Sequence, residues 1–302
     1  MRKRQDHLFA YISATLYAAI VSMSFLTVKI GLVSANPFEL LAYRFTIAFL
    51  AIVLALAFRV VKLRITKEKI LKLAPLALFY PVFYFSFQSF GLTYTTSVEA
   101  GIMNALIPVL TLILATIFLK EKTTVLQKLS IILSVLGVVY ITLMKGNSSS
   151  SRNLVGIILL FVSSTSFSAY SVLVKKRSKE FSTTDISFVV TILGFVSFNL
   201  LNFCNHLLKG TLSSYFEPLK NTSFIWSILY LGILSTLFTS LLANYSLSKI
   251  EASKMNVFVN LATVLSIAAG SVFLDEKIYY YHIIGSVLIV LGVLGTNFLG
   301  KR

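Results

Sequence analysis

The chain has 302 residues, 57% of them apolar and only 13% charged, and its mean hydropathy is +0.86. A soluble domain carries about 25% charged residues, so this composition excludes an ordinary soluble protein and indicates a polytopic membrane protein. The formal net charge of +16 does not point to nucleic acid, because the basic residues cluster between apolar runs, and the single cysteine, Cys204, excludes an internal disulfide framework or a cysteine metal site.

In chain order, Met1-Arg2-Lys3-Arg4 resembles the start of a signal peptide, but the apolar run behind it, Leu8 to Val33, exceeds the about 7–15 residues of such a core. It reads as a retained first transmembrane helix, broken at Asn36-Pro37. Helix two is expected over 38–61, followed by a basic stretch to Lys72, helix three over 73–92, helix four over 97–119 and helix five over 125–144. Gly146-Asn147-Ser148-Ser149-Ser150-Ser151 then forms a low-complexity linker. Helices six to ten are expected over 154–174, 185–208, 223–247, 252–274 and 279–299. Each run meets the ~20 mainly apolar residues a spanning helix needs.

An internal repeat sets the organisation. Leu106–Val138 aligns without a gap on Leu261–Val293, 155 positions later, with 12 of 33 positions identical. Its landmarks are Phe118-Leu119-Lys120-Glu121-Lys122 against Phe273-Leu274-Asp275-Glu276-Lys277, and Leu136-Gly137-Val138 against Leu291-Gly292-Val293. The fold expected is therefore an all-α polytopic membrane protein of ten transmembrane helices, arranged as two inverted five-helix repeats. The repeats cover residues 1–146 and 154–302, with a linker over 147–153, and together make one transmembrane domain.

Five helices per half make the halves enter the membrane from opposite sides. With both termini cytoplasmic, the inner segments hold 20 Lys and Arg and the outer ones five, the bias that sets orientation. Equivalent positions change charge accordingly: Glu99 outside becomes Lys254 inside, and Lys120 inside becomes Asp275 outside. Inverted repeats are the architecture of secondary transporters, with the solute held near midplane between the halves.

The chain resembles the EamA-type branch of the drug/metabolite transporter superfamily. The resemblance rests on Val28-Lys29-Ile30-Gly31-Leu32 in helix one and Pro37-Phe38-Glu39 through Arg44-Phe45 opening helix two. Gly91-Leu92-Thr93-Tyr94, Ala100-Gly101, Leu106-Ile107-Pro108, Phe118 to Lys122 and Leu136-Gly137-Val138 follow in order. Where the family usually has a tryptophan-glycine pair in helix one, this chain has Tyr17-Ala18-Ala19. The resemblance implies cytoplasmic termini, alternating access around a central cavity and movement of small organic solutes, frequently outward.

Two cations fall inside expected helices, Lys29 eight residues before Pro37 and Arg44 seven after it. At 1.5 Å per residue both lie about 10–12 Å below the turn. They either snorkel or pair structurally with Glu39 or Glu99, or form an outer gate in which Lys29 or Arg44 engages Glu99, or capture a substrate carboxylate through Arg44. Polar and aromatic side chains at helical spacing outline a midplane site: Tyr17 in helix one, Tyr80, Tyr84 and Gln88 in helix three, Asn104 in helix four, Ser168 in helix six and Asn260 in helix nine. The same residue types also serve plain helix packing in membranes. Pro108 cannot donate to the helical ladder, which makes it a hinge candidate or a static kink.

No phosphate-binding loop of the GxxxxGK[ST] type occurs, and the histidines and carboxylates avoid helix centres. No enzyme activity, metal or cofactor is expected. The partners are a small-molecule solute and the lipid bilayer, with monomer and homodimer both open. The reading is a secondary transporter exporting small organic metabolites, amino acids or related solutes, across the cell membrane. The alternatives are a multidrug or amphipathic-compound exporter, and a non-transporting component acting on lipid-linked substrates. Glu99 is the one serious proton-carrier candidate, and without a midplane carboxylate the reading leans to facilitated diffusion or exchange, with proton antiport open.

Overall fold

The computed structural model describes residues 2–59, 66–118, 120, 123–144, 151–177, 180–249 and 252–298. The regular elements among these residues are all helices, with no strand among them. The helices are α1 (Arg2–Leu32), α2 (Pro37–Ala57), α3 (Lys67–Ala77), α4 (Tyr84–Tyr94), α5 (Ser97–Asn104), α6 (Ile107–Phe118) and α7 (Val125–Met144). The chain continues as α8 (Ser151–Arg177), α9 (Thr183–Lys209), α10 (Thr222–Leu229), α11 (Thr239–Lys249), α12 (Ala252–Leu274) and α13 (Tyr280–Phe298). Among the described residues eight helical runs are long and apolar enough to cross a membrane, and Leu261–Leu274 and Tyr280–Gly295 are shorter apolar helices. The chain is a polytopic membrane protein.

Local sequence sets the helix ends. Asn36 caps α2 with its side chain, Glu39 reaches back to the Asn36 amide, and Pro37 occupies the first turn, where no amide donor is needed. Thr96 and Glu99 make the same reciprocal box at the start of α5. Ser182 caps α9, whose other end stops at Gly210 in the left-handed region (φ 66). α8 already begins at Ser151, inside the stretch expected as linker.

Two expected helices are not regular. The third changes to a π-helical turn over Leu78–Phe83, where Pro81 removes a donor and Tyr80 takes an extended backbone (φ −142, ψ 114). The eighth carries a π segment over Tyr230–Phe238, where the Thr236 hydroxyl donates to the Leu231 carbonyl five residues back. Apolar patterning alone reads both as continuous, because inserting a residue into a helix leaves the run of apolar side chains intact. Such π-bulges occur frequently at functional sites.

Elements of the first half of the chain pack mainly on elements of the second. α7 lies along α13, α2 along α9, and α5 against α12. α1 packs on α10, the Tyr230–Phe238 segment, α11 and α12, while α8 packs on the Leu78–Phe83 segment, α4, α5 and α6. The α7–α13 contact is reciprocal under the repeat offset. A Cβ on Gly137 would meet Gly285 O at 2.7 Å and Ile289 N at 3.1 Å; one on Gly292 would meet Ser130 O at 2.5 Å and Ser134 N at 2.8 Å. Shifted by 155 positions, each set becomes the other. Lys120 and Asp275, related by that offset, share a left-handed backbone, φ 55 and φ 52.

Candidate functional site

The middle of the molecule is aromatic. Tyr80 packs at 4.8 Å from Tyr170, 5.4 Å from Phe167 and 5.5 Å from Tyr84, centroid to centroid. Tyr17 on α1 faces this group within electrostatic reach of Tyr80 and Tyr84. Tyr17, Tyr80, Tyr84 and Tyr170 all lie deep among neighbours, yet each stays only half-buried. Side chains that are deep and still accessible border internal space rather than fill it. Among the described residues the hydroxyls of Tyr17, Tyr80 and Tyr170 have no hydrogen-bond partner. The Tyr84 oxygen accepts from the Gln88 amide at 3.0 Å, which leaves its own proton free to donate. The structure thus joins two of the expected residues, Tyr84 and Gln88, one helical turn apart on α4.

Arg44 is the largest fully buried side chain, 1% exposed. Its Nε donates to Thr236 Oγ1 at 3.1 Å and its Nη2 to Ser235 Oγ at 3.3 Å. Both acceptors belong to the second π segment. The guanidinium carbon lies 4.0 Å over the Phe85 ring, a cation–π contact. Phe85 in turn packs on Tyr84 at 4.7 Å and Tyr80 at 5.2 Å, beside the first π segment. Arg44 therefore sits between the two helix irregularities, one ring behind the accessible tyrosines. Its Nη1 is buried and has no hydrogen-bond partner, and no carboxylate pairs with it among the described residues.

The fourth expected helix is interrupted between α5 and α6, at Ala105-Leu106. Pro108 is the cause: it has no N–H for the Asn104 carbonyl. Asn104, 8% exposed, closes α5 there. Ser164 and Ser168 of α8 donate to the Met103 and Ile107 carbonyls at 3.1 Å each, on either side of the break. Ser168 is fully buried, and its hydroxyl also bonds the Ser164 carbonyl. It joins helices here and does not border the aromatic space. Asn260 lies on α12, with its side chain outside the described residues.

The carboxylates gather at helix ends. Glu99 is buried and its Oε2 accepts from the Thr95 hydroxyl, the Thr96 amide and hydroxyl at 3.1 Å each, and the Asn153 amide at 3.2 Å. The bonds recorded for Glu99 and for Arg44 thus run to different neighbours. Lys29 is half-buried and makes no ion pair among the described residues. Glu276, a repeat landmark not expected in the site, grips the start of α5: it accepts from the Ser97 amide at 2.9 Å, the Val98 amide at 3.0 Å and the Ser97 hydroxyl at 2.8 Å. Glu39 and His206, also unexpected together, meet at 3.1 Å between α2 and α9. No group of three His, Cys, Asp or Glu among the described residues could hold a metal.

Comparison with known proteins agrees with this architecture. The sequence profile of the EamA-like transporter family matches twice, over residues 8–143 and 154–298. The chain is 44% identical to "Uncharacterized transporter YcxC" of Bacillus subtilis, over 95% of this chain and 92% of that one. It is 30% identical to an "Uncharacterized transporter" of Archaeoglobus fulgidus, over 90% and 92% of the two chains. A crystal structure shares the fold with a TM-score of 0.62 at 20% identity, over 99% of this chain and 98% of that one.

Proposed function

We propose a transport mechanism on one premise: the chain belongs to the EamA-like transporter family. It is a multi-pass membrane transporter and not an enzyme. Beyond that, our reading is a secondary transporter that exports small organic metabolites across the cell membrane by alternating access, with both termini cytoplasmic. The two shorter apolar helices complete ten crossings in two inverted five-helix halves.

One observation carries this reading, the reciprocal packing of the two halves. Gly137 on Gly285 and Ile289, and Gly292 on Ser130 and Ser134, obey one offset, and the accessible tyrosines lie where helices of both halves meet. A pair of related, inverted halves has two conformations of similar energy available, each opening the shared interior to one side. The interrupted helix at Pro108 and the two π segments are the points where such a change meets least resistance. The mix of Gln88 and tyrosine hydroxyls with apolar rings favours a partly polar metabolite over a purely lipophilic drug, since unpaired polar groups would oppose the latter.

Counterflow in proteoliposomes, with a panel of amino acids and organic acids and repeated across a pH step, tests the reading. Accumulation of at least one labelled solute against its unlabelled form is expected. Correctly inserted protein that moves no member of the panel contradicts it.

A further inference from the structure

We propose that Arg44 is the anion-binding residue of the translocation site, and that the solute is a monoanionic carboxylate on a ring-sized apolar body. The proposal rests on the transport reading above for the place of the site, but its chemistry comes from the side chains themselves.

A guanidinium near the middle of a membrane helix costs roughly 2.5–3.5 kcal/mol to insert. Structural arginines offset this by pairing with a carboxylate or with backbone carbonyls. Arg44 does not: its recorded partners are two neutral hydroxyls and the face of Phe85. The hydroxyls aim it firmly. Thr236 passes its own proton to the Leu231 carbonyl, so its lone pair is left to accept from Nε. Two of the three guanidinium nitrogens are thereby fixed to the second π segment. The third, Nη1, is buried without a partner. A cation held in one orientation with one nitrogen wholly unpaired is built to receive an anion.

The surroundings define which anion. Tyr80 and Tyr84 are the titratable groups facing the guanidinium, and neither brings a second positive charge. One cation with one free nitrogen balances a monoanion; a phosphate dianion would call for more. The Tyr84 hydroxyl, with its proton free, supplies a second donor. Next to these donors stand the faces of Tyr80, Phe167 and Tyr170, with centroids 4.8–6.0 Å apart. These rings suit an apolar or aromatic body by stacking and edge contact. Phe85 covers one face of the guanidinium and packs on Tyr84 and Tyr80 with its ring, which sets the cation one ring away from the tyrosines.

The test compares acids with their amides. Purified full-length protein in detergent is challenged with phenylacetate, 3-phenylpropionate, phenylacetamide and 3-phenylpropionamide, and binding is read by thermal shift. At least one acid is expected to stabilise the protein, with its amide roughly 10- to 100-fold weaker, the loss of one charged hydrogen bond. Arg44→Lys should keep the preference for the acid at lower affinity, and Arg44→Gln should abolish it. Acid and amide binding alike, no binding of either acid, or a preference that survives Arg44→Gln overturns the proposal; the first two need no variant to fold. Counterflow of the same compounds separates the two readings. Acid binding without counterflow sinks the transport reading and leaves the Arg44 site. Counterflow of neutral solutes, unchanged in Arg44→Gln, sinks the site and leaves transport.

Discussion

Arg44 donates from Nε to the Thr236 hydroxyl at 3.1 Å, across 192 positions of sequence, and Thr236 donates onward to the Leu231 carbonyl. The bond ties the start of the first half to the irregular helix of the second. Thr236→Val keeps the shape but removes the acceptor, leaving a second buried guanidinium nitrogen unpaired. The variant is expected to lose about 1.5–3 kcal/mol of stability, read as a lower unfolding temperature in detergent. Thr236→Ser, which keeps the hydroxyl, should lose clearly less.

Gly137 and Gly292 make the second prediction. A methyl group at either one runs into backbone of the opposite helix, which cannot yield as a side chain can. Gly137→Ala and Gly292→Ala should each destabilise by about 1–3 kcal/mol, and by similar amounts, since the two contacts are reciprocal. Gly31→Ala is the control. Its Cβ would crowd the flexible end of the Leu40 side chain at 2.6 Å and touch Ser227 Cβ at 3.5 Å, with no backbone among its near neighbours, and a smaller loss is expected in the same unfolding assay.

Pro108→Ala restores the donor that the Asn104 carbonyl lacks and favours one continuous helix across α5 and α6. If the interruption serves the conformational change, turnover in counterflow should fall severalfold while half-saturation by solute stays near the wild-type value. A variant with unchanged turnover would mark Pro108 as a static kink.

Glu276 holds the start of α5 with three hydrogen bonds from Ser97 and Val98. A carboxylate there also meets the positive end of the helix dipole. Glu276→Ala should loosen this contact with the start of α5. In a Cys204→Ser background, a cysteine at the buried Ala100 should react faster with a membrane-impermeant thiol reagent when Glu276 is replaced. Equal rates would limit Glu276 to capping.

The apolar runs already contained the membrane class and the eight long apolar helices found among the described residues, because burial in lipid demands about 20 apolar residues at a stretch. The repeat also foreshadowed the shared left-handed backbone of Lys120 and Asp275. What stayed hidden depends on three dimensions. Arg44 was visible as a charge in a helix, but its partners Ser235 and Thr236 look like any small residues of a membrane helix. The π segments leave no mark on apolar composition, although Pro75 and Pro81 could have marked the third helix as irregular. Glu99 was legible in another sense: Thr96-Ser97-Val98-Glu99 is a capping-box pattern before an apolar run, and capping is what Glu99 does here. Glu276 could have been singled out from the phenylalanine-leucine-x-glutamate-lysine landmark that both halves carry.

The proposed alternation of two inverted halves would expose one interior position to each side in turn. Tyr17 is such a position, deep on α1 with part of its surface accessible. The direct measurement is labelling of Tyr17→Cys in the Cys204→Ser background with an impermeant maleimide, in right-side-out and in inside-out vesicles. Reaction from both sides is predicted, with saturating solute shifting the ratio of the two rates. Reaction from one side only, with and without solute, would contradict alternating access.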